Sequence, residues 1–220
     1  MKTERQSRIE LAQVCRWMYE KNLISSTDGN VSVKLNDHRM LITPSGVNKG
    51  FLKPEDFIVT DLNGKKLSGS KNPSQEISMH VKVYAQRKDI YAVVHAHPIH
   101  CIAFTLAGKN LGEDYLPEVV LSVGKIPIVP YTTPTTNEVG QGIESYIQKY
   151  NAMILDRHGA LTLGKTLLDA FNNLERMEHV AHVMFVAHQL GPLKHLREDE
   201  LQKLHQLLKM QSPVLQSSKM

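Results

Sequence analysis

Cysteine is nearly absent from this chain: 220 residues hold two, Cys15 and Cys101. A disulfide scaffold needs several paired cysteines, so that class is excluded, and two thiols suit a reducing cytoplasm. Long apolar runs are missing too. No stretch approaches the roughly 18 uncharged apolar residues of a membrane-spanning helix. The opening Met-Lys-Thr-Glu-Arg-Gln-Ser-Arg leads into an amphipathic pattern, not into the apolar core of a secretion signal. Lys and Arg never run longer than a pair, so the net charge of +4 builds no nucleic-acid footprint. It suits an anionic small molecule instead. What is present is ordinary for a globular protein: 41% apolar and 22% charged residues in 24.8 kDa. That size favours one domain. We assign it to residues 1–210 and expect 211–220 to fray as a Ser-rich tail. The one unusual count is histidine, with 11.

Apolar spacing predicts a helix over 5–22, strands over 31–35 and 39–43, and a strand over 57–60 closed by the turn Asp61-Leu62-Asn63-Gly64. A helix follows over 75–87. The apolar run 90–96 reads as a central strand ended by Pro98. A strand near 126–129 precedes a helix to about 149, which a capping box between Thr135 and Glu138 would open. Short strands are predicted at 152–155 and 160–163. The longest helix, 166–190, carries the stripe Leu167, Ala170, Phe171, Leu174, Met177, Ala181 and Phe185 on one face. A last helix spans 201–210, and no repeat or linker is visible. Strands interspersed with helices predict an α/β fold, with helices over both faces of a mixed sheet.

The sharpest local feature is His95-Ala96-His97 at the end of the central strand. Alternate strand residues share a face, so two imidazoles project together where a pocket opens. That is the start of a site for a metal that takes nitrogen ligands, such as zinc. His158, in Asp156-Arg157-His158-Gly159, stands at the exit of another apolar strand and is the third candidate. Glu76, on the helix before the His95 strand, is placed to add a carboxylate. His80, four residues on, shares its helix face and can support it. Gly159-Ala-Leu-Thr-Leu-Gly164-Lys165-Thr166 fits the phosphate-loop pattern. Its bulky alternating leucines read as a strand, however, and too little chain follows to complete a nucleotide-binding core. Three other turns suit an anion: Thr27-Asp28-Gly29-Asn30, Thr43-Pro44-Ser45-Gly46 and the helix entry Pro73-Ser74-Gln75-Glu76. Each can present backbone N–H groups or hydroxyls to phosphate.

Taken together, Gly29-Asn30-Val31-Ser32-Val33, Ile42-Thr43-Pro44-Ser45-Gly46, Pro73-Ser74-Gln75-Glu76, Val94-His95-Ala96-His97 and Arg157-His158-Gly159 resemble the class II aldolase/adducin family in order and spacing. The resemblance runs over about residues 5–190 and is strongest to the ketose-1-phosphate aldolases, L-fuculose-1-phosphate aldolase among them. It implies a three-layer α/β/α sandwich around a mixed, largely antiparallel sheet, assembled as a homotetramer with active sites between subunits. It implies zinc held by His95, His97 and His158, with Mn2+ or Co2+ as substitutes. Glu76 falls on the acid/base that can also reach the metal. Gly29, Asn30, Ser45, Gly46 and Ser74 fall on the phosphate grip, where Gln75 replaces a serine. Tyr115 or Glu118 stands where a neighbouring subunit lends a substrate-side group. The implied reaction cleaves a fuculose-, 5-deoxyribulose- or methylthioribulose-1-phosphate to dihydroxyacetone phosphate and an aldehyde. A dehydratase, decarboxylase or 4-epimerase on a related sugar phosphate is the alternative. Adducin-type binding modules lack the metal site, so the three histidines and Glu76 speak against that branch.

Overall fold

A computed structural model describes residues 2–112 and 114–217, with side chains as far as Met210. The chain opens with α1 (Glu4–Glu20), the antiparallel strands β1 (Asn30–Lys34) and β2 (Arg39–Ile42), and the hairpin β3 (Ile58–Asp61) and β4 (Lys66–Ser68). Next come α2 (Ile77–Gln86), β5 (Ala92–Ala96), α3 (Ile99–Leu106), α4 (Pro117–Ser122) and β6 (Ile128–Val129). The remainder is α5 (Asn137–Gly142), α6 (Glu144–Ile147), β7 (Ala152–Leu155), β8 (Gly159–Gly164), α7 (Leu167–Leu190) and α8 (Glu198–Ser217). Eight strands join one sheet in the order β4-β3-β2-β1-β5-β8-β7-β6. Every pairing is antiparallel except β6 with β7.

The period of two in the strands divides the core between the two faces. In β7, Ala152 and Ile154 join one apolar cluster while Met153 and Leu155 join the other. The first cluster is closed by α1, α3 and α7, through Leu11, Val14, Phe104, Leu174 and Met177. The second is closed by α2, α5 and α6, through Met79, Val83, Val139 and Ile147. Helices on both faces make three layers, as the resemblance implies. Among the described residues, no helix is long and apolar enough to cross a membrane.

Several local expectations are corrected. The helix expected from Thr135 to 149 is two short ones, α5 and α6. Thr135 lies at φ +64°, and Thr136 is the residue whose side chain accepts from the Glu138 amide. The Glu138 carboxylate turns to the Thr133 amide, so no capping box forms. Gly140 and Gly142, both poor helix formers, weaken the run at this point. Phe185, expected on the buried stripe, is 47% exposed; Val180 and Met184 are buried in that part of α7 instead. Two helices, α3 and α4, have no counterpart in the sequence reading, because two turns are too short to show a period. The last helix runs from Glu198 to Ser217, longer than the 201–210 expected, and 218–220 lie outside the described residues.

Gly159–Gly164 is a strand paired on both edges, by β5 and β7. Its backbone is occupied in the sheet, so the phosphate-loop pattern has no loop to act with. Thr166 instead caps α7: its side chain accepts from the Asp169 amide, and Asp169 accepts from the Thr166 amide. Such a cap satisfies amides that the first helical turn leaves unpaired. Thr166→Ala should lower stability by about 1 kcal/mol, read as a lower urea midpoint at constant m-value. An unchanged midpoint would remove this cap from the account of α7.

Candidate metal centre

The sheet positions every part of this site. β5 lies between β1 and β8, with His95 opposite Asn30 on one side and Leu161 on the other. His97 follows two residues later, just past the end of the strand. His158 stands in the turn from β7 to β8, which Arg157 makes at φ +52°. Glu76 is the residue that opens α2. The ligand atoms of Glu76, His95, His97 and His158 all lie within 4.8 Å of one another. Nε2 of His95 is 3.0 Å from Nε2 of His97 and 3.3 Å from Oε2 of Glu76. Nε2 of His158 is 3.1 Å from Oε1 of Glu76.

This donor set fits a divalent metal ion. Nδ1 of His95 donates to the Ala160 carbonyl oxygen at 2.9 Å, which leaves a lone pair on Nε2 aimed at the other donors. First-row ions bind imidazole at about 2.0–2.1 Å, so a tetrahedron sets neighbouring donors about 3.3 Å apart. The observed 3.0–3.3 Å spacings suit that arrangement. Oε1 of Glu76 and Nδ1 of His158 are buried without a hydrogen-bond partner among the described residues. An ion between the ligands would satisfy the carboxylate oxygen, which otherwise bears a desolvation penalty of about 1–3 kcal/mol.

Two glycines make the close approach possible. A Cβ on Gly159 would lie 2.3 Å from the Ala96 carbonyl oxygen and 2.9 Å from Cδ2 of His97. Gly29, at φ +72°, would press a Cβ to 2.7 Å from Ile24 and 2.9 Å from the His95 carbonyl oxygen. Burial disfavours charge on Glu76, yet the facing imidazoles of His95 and His158 reverse this and hold the carboxyl well below the usual range. Burial, then the neighbouring His95 and His158, pushes the His97 imidazole down to about 3. His97 is therefore neutral at pH 7, the form that binds a metal.

The expected phosphate residues fall into two groups. An isolated bridge joins Pro44 to Pro73, Ser45 N donates to the Asn72 carbonyl, and Ser74 N donates to the Thr43 carbonyl. The turns bearing Ser45, Gly46 and Ser74 are thereby laid side by side. Gly46, at φ +67°, has open space where a side chain would go. Gln75 is exposed, and Ser74 Oγ accepts from the Glu76 amide at 3.2 Å. The Asn30 side chain has partners of its own. Its Nδ2 donates to Oε2 of Glu76 at 2.8 Å and its Oδ1 accepts from Nε2 of His80 at 2.5 Å, so both ends of the amide are occupied.

Tyr115 and Glu118 do not join the cluster. Tyr115 hydrogen-bonds His195 at 2.9 Å, and Glu118 is exposed in the first turn of α4. Lys49 escaped the sequence reading, because one lysine in a turn has no spacing signal. It is 3% exposed and donates to the carbonyl oxygen of Thr27. That contact ties down the turn whose Asp28 carboxylate lies 3.7 Å from Nδ1 of His97.

Fold and site together define a class. The model of the class II aldolase and adducin N-terminal domain matches residues 9–185, and the chain belongs to that family. An L-fuculose phosphate aldolase from Methanococcus maripaludis is 34% identical over 181 residues, covering 82% of this chain and 97% of the relative. A 3-oxo-tetronate 4-phosphate decarboxylase from Pectobacterium atrosepticum is 30% identical over 210 residues, covering 93% and 94%. Among solved structures, YgbL from Klebsiella pneumoniae superposes with a TM-score of 0.84 at 32% identity, covering 93% of this chain and all of that one. An L-fuculose 1-phosphate aldolase superposes with a TM-score of 0.82 at 28% identity, covering 92% and 95%.

His97 is the most exposed of the three imidazoles, so its loss should leave the fold intact. His97→Ala should remove most bound metal, measured by elemental analysis, while far-UV circular dichroism is unchanged. Wild-type metal content would sink the ligand assignment.

Proposed function

We propose that the protein is a zinc-dependent aldolase that cleaves a ketose 1-phosphate to dihydroxyacetone phosphate and an aldehyde. The observation that carries this reading is the meeting of three imidazoles and one carboxylate at the end of β5. Two paired polar turns, bearing Ser45, Gly46 and Ser74, lie ahead of Glu76 in the fold and supply the phosphate grip. His95, His97 and His158 would hold the ion, with Mn2+ or Co2+ as substitutes for Zn2+. When bound, zinc supplies a Lewis acid for the ketose carbonyl oxygen and its neighbouring hydroxyl.

The chain's own residues carry the rest. In cleavage the hydroxyl on the future aldehyde carbon loses its proton, and the electrons of the broken C–C bond pass to the ketose half. The carbon so freed then takes a proton. Glu76 is held in its charged form, its Oε2 accepts from Asn30, and its carboxylate is the group placed to move these protons. The phosphate turns bind a part of the substrate remote from the breaking bond and so fix its orientation. Tyr115 or Glu118 is read as the group lent to a neighbouring site in a cytoplasmic homotetramer. The exposed apolar side chains Ile99, Leu106, Phe185, Val186 and Leu190 support such an assembly.

The decarboxylase relative, which aligns over 210 residues, favours a second reading: loss of carbon dioxide from a 3-oxo acid phosphate on the same metal and Glu76. One assay separates the two. Purified protein, with and without chelator, is incubated with fuculose-, 5-deoxyribulose- and methylthioribulose-1-phosphate, and dihydroxyacetone phosphate is followed by coupled NADH oxidation. Chelator-sensitive release is expected, and the best substrate names the aldehyde half. Bound metal with no release, but with carbon dioxide from a 3-oxo acid phosphate, would overturn the aldolase in favour of the decarboxylase. A product formed by epimerisation or dehydration would overturn both. Glu76→Gln should cut turnover at least about 100-fold while keeping metal bound; near-normal turnover would end its acid/base role.

A further inference from the structure

Glu76, His80 and Tyr84 form one ridge at intervals of four residues from the start of α2, and it faces Asn30 and Ser32 of β1. The side chains join into one buried chain. Tyr84 OH lies 2.8 Å from Ser32 Oγ, which lies 2.6 Å from Nδ1 of His80. Nε2 of His80 reaches Asn30 Oδ1 at 2.5 Å, and Asn30 Nδ2 reaches Glu76 Oε2 at 2.8 Å. Tyr84, Ser32 and His80 are wholly buried and Asn30 is 2% exposed, so no water competes for these groups.

Only one placement of hydrogens satisfies every link. A carboxylate accepts only, so Asn30 must turn its NH2 to Glu76 and its oxygen to His80. His80 must then carry its proton on Nε2. Burial keeps this imidazole neutral, its pKa pushed down to about 3. Nδ1 therefore accepts, Ser32 donates to it with its single hydrogen, and Tyr84 donates to Ser32 at 2.8 Å in preference to the Tyr91 carbonyl oxygen at 3.4 Å. All donors point towards Glu76. The Asn30 amide interrupts the row as a proton path, because its nitrogen and oxygen do not exchange roles. What the row transmits is orientation.

We propose that this row is a one-directional lock, in which His80, acting through Asn30, positions the Glu76 carboxylate with Oε2 held and Oε1 left facing His158. The proposal rests on reading Glu76 as the working carboxylate of a metal centre. His80 is thus a positioning residue.

The test uses Co2+ as probe and reads affinity and proton placement, not turnover. His80→Leu removes the donor to Asn30, whereas His80→Gln keeps an N–H in nearly the same place. Competition titrations with Co2+ should show about 10-fold or more weaker binding for His80→Leu, with shifted visible bands, and near-complete recovery for His80→Gln. In a Glu76→Ala background, His80→Leu should change affinity by less than about 2-fold, because the group it positions is gone. Equal losses for Leu and Gln, or a full loss in the Glu76→Ala background, would overturn the lock in favour of plain packing. Should His80→Leu fail to fold, 15N NMR of the histidine-labelled wild type still decides: the Nε2–H tautomer of His80 is expected, and Nδ1–H would overturn the directionality. Coupling in these titrations without any aldolase or decarboxylase product would sink the proposed reaction and leave the lock standing.

Discussion

The hydrogen bond from Nδ1 of His95 to the Ala160 carbonyl decides what the rest of the site can be. It ties a buried imidazole to the neighbouring strand β8 and points the lone pair of Nε2 away from the sheet. Nε2 of His97 and Oε2 of Glu76 lie within 3.3 Å of that lone pair. Donor atoms held so closely repel one another unless a proton or a cation stands among them. The interior of the sheet supplies the stiffness that keeps them there, because β5 is buried along its whole length. Preorganisation of this kind is what a metal site requires.

Everything near this point is shaped by the same crowding. Gly159 and Gly29 stand where a Cβ would strike the backbone of β5 or the end of it, so the fold yields two side chains to let the histidines converge. Glu76 closes the site from the side of α2, the layer opposite α1 and α7. Its position at the head of the helix serves two ends at once. The carboxylate reaches the imidazoles, and its own amide is received by Ser74 Oγ, which draws the polar turns in beside it. The proposed proton transfers and the proposed grip on a phosphate would therefore both be organised by one residue and its neighbours in sequence.

Charge is handled with similar economy. A buried carboxylate is costly alone, and here it faces imidazoles on one side and the Asn30 amide on the other. Lys49 is buried as well, and burial lowers its amine below the usual value. The Thr27 carbonyl receives it and so anchors the turn that leads into β1.

By itself, the sequence determined helices over both faces of a mixed sheet and pointed to the four side chains that converge at the end of β5. Strand patterns reveal themselves through a period of two, and His95-Ala96-His97 announced its geometry because two residues apart on a strand means one face. His158 and Glu76 were legible for a similar reason, each standing at the end of a strongly patterned element. The tertiary structure alone decided which polar residues meet. Asn30 was read as a phosphate contact from its turn, but folding sets β1 against α2 and gives both ends of its amide to Glu76 and His80. Lys49 and the Tyr84–Ser32 end of the buried row carried no signal, since their partners are distant in sequence. Helices α3 and α4 and the split at Ile143 were likewise decided by packing. Local patterns record which face of an element is buried, whereas the partners of a buried polar group depend on elements far apart in the chain, and only the folded sheet brings those together.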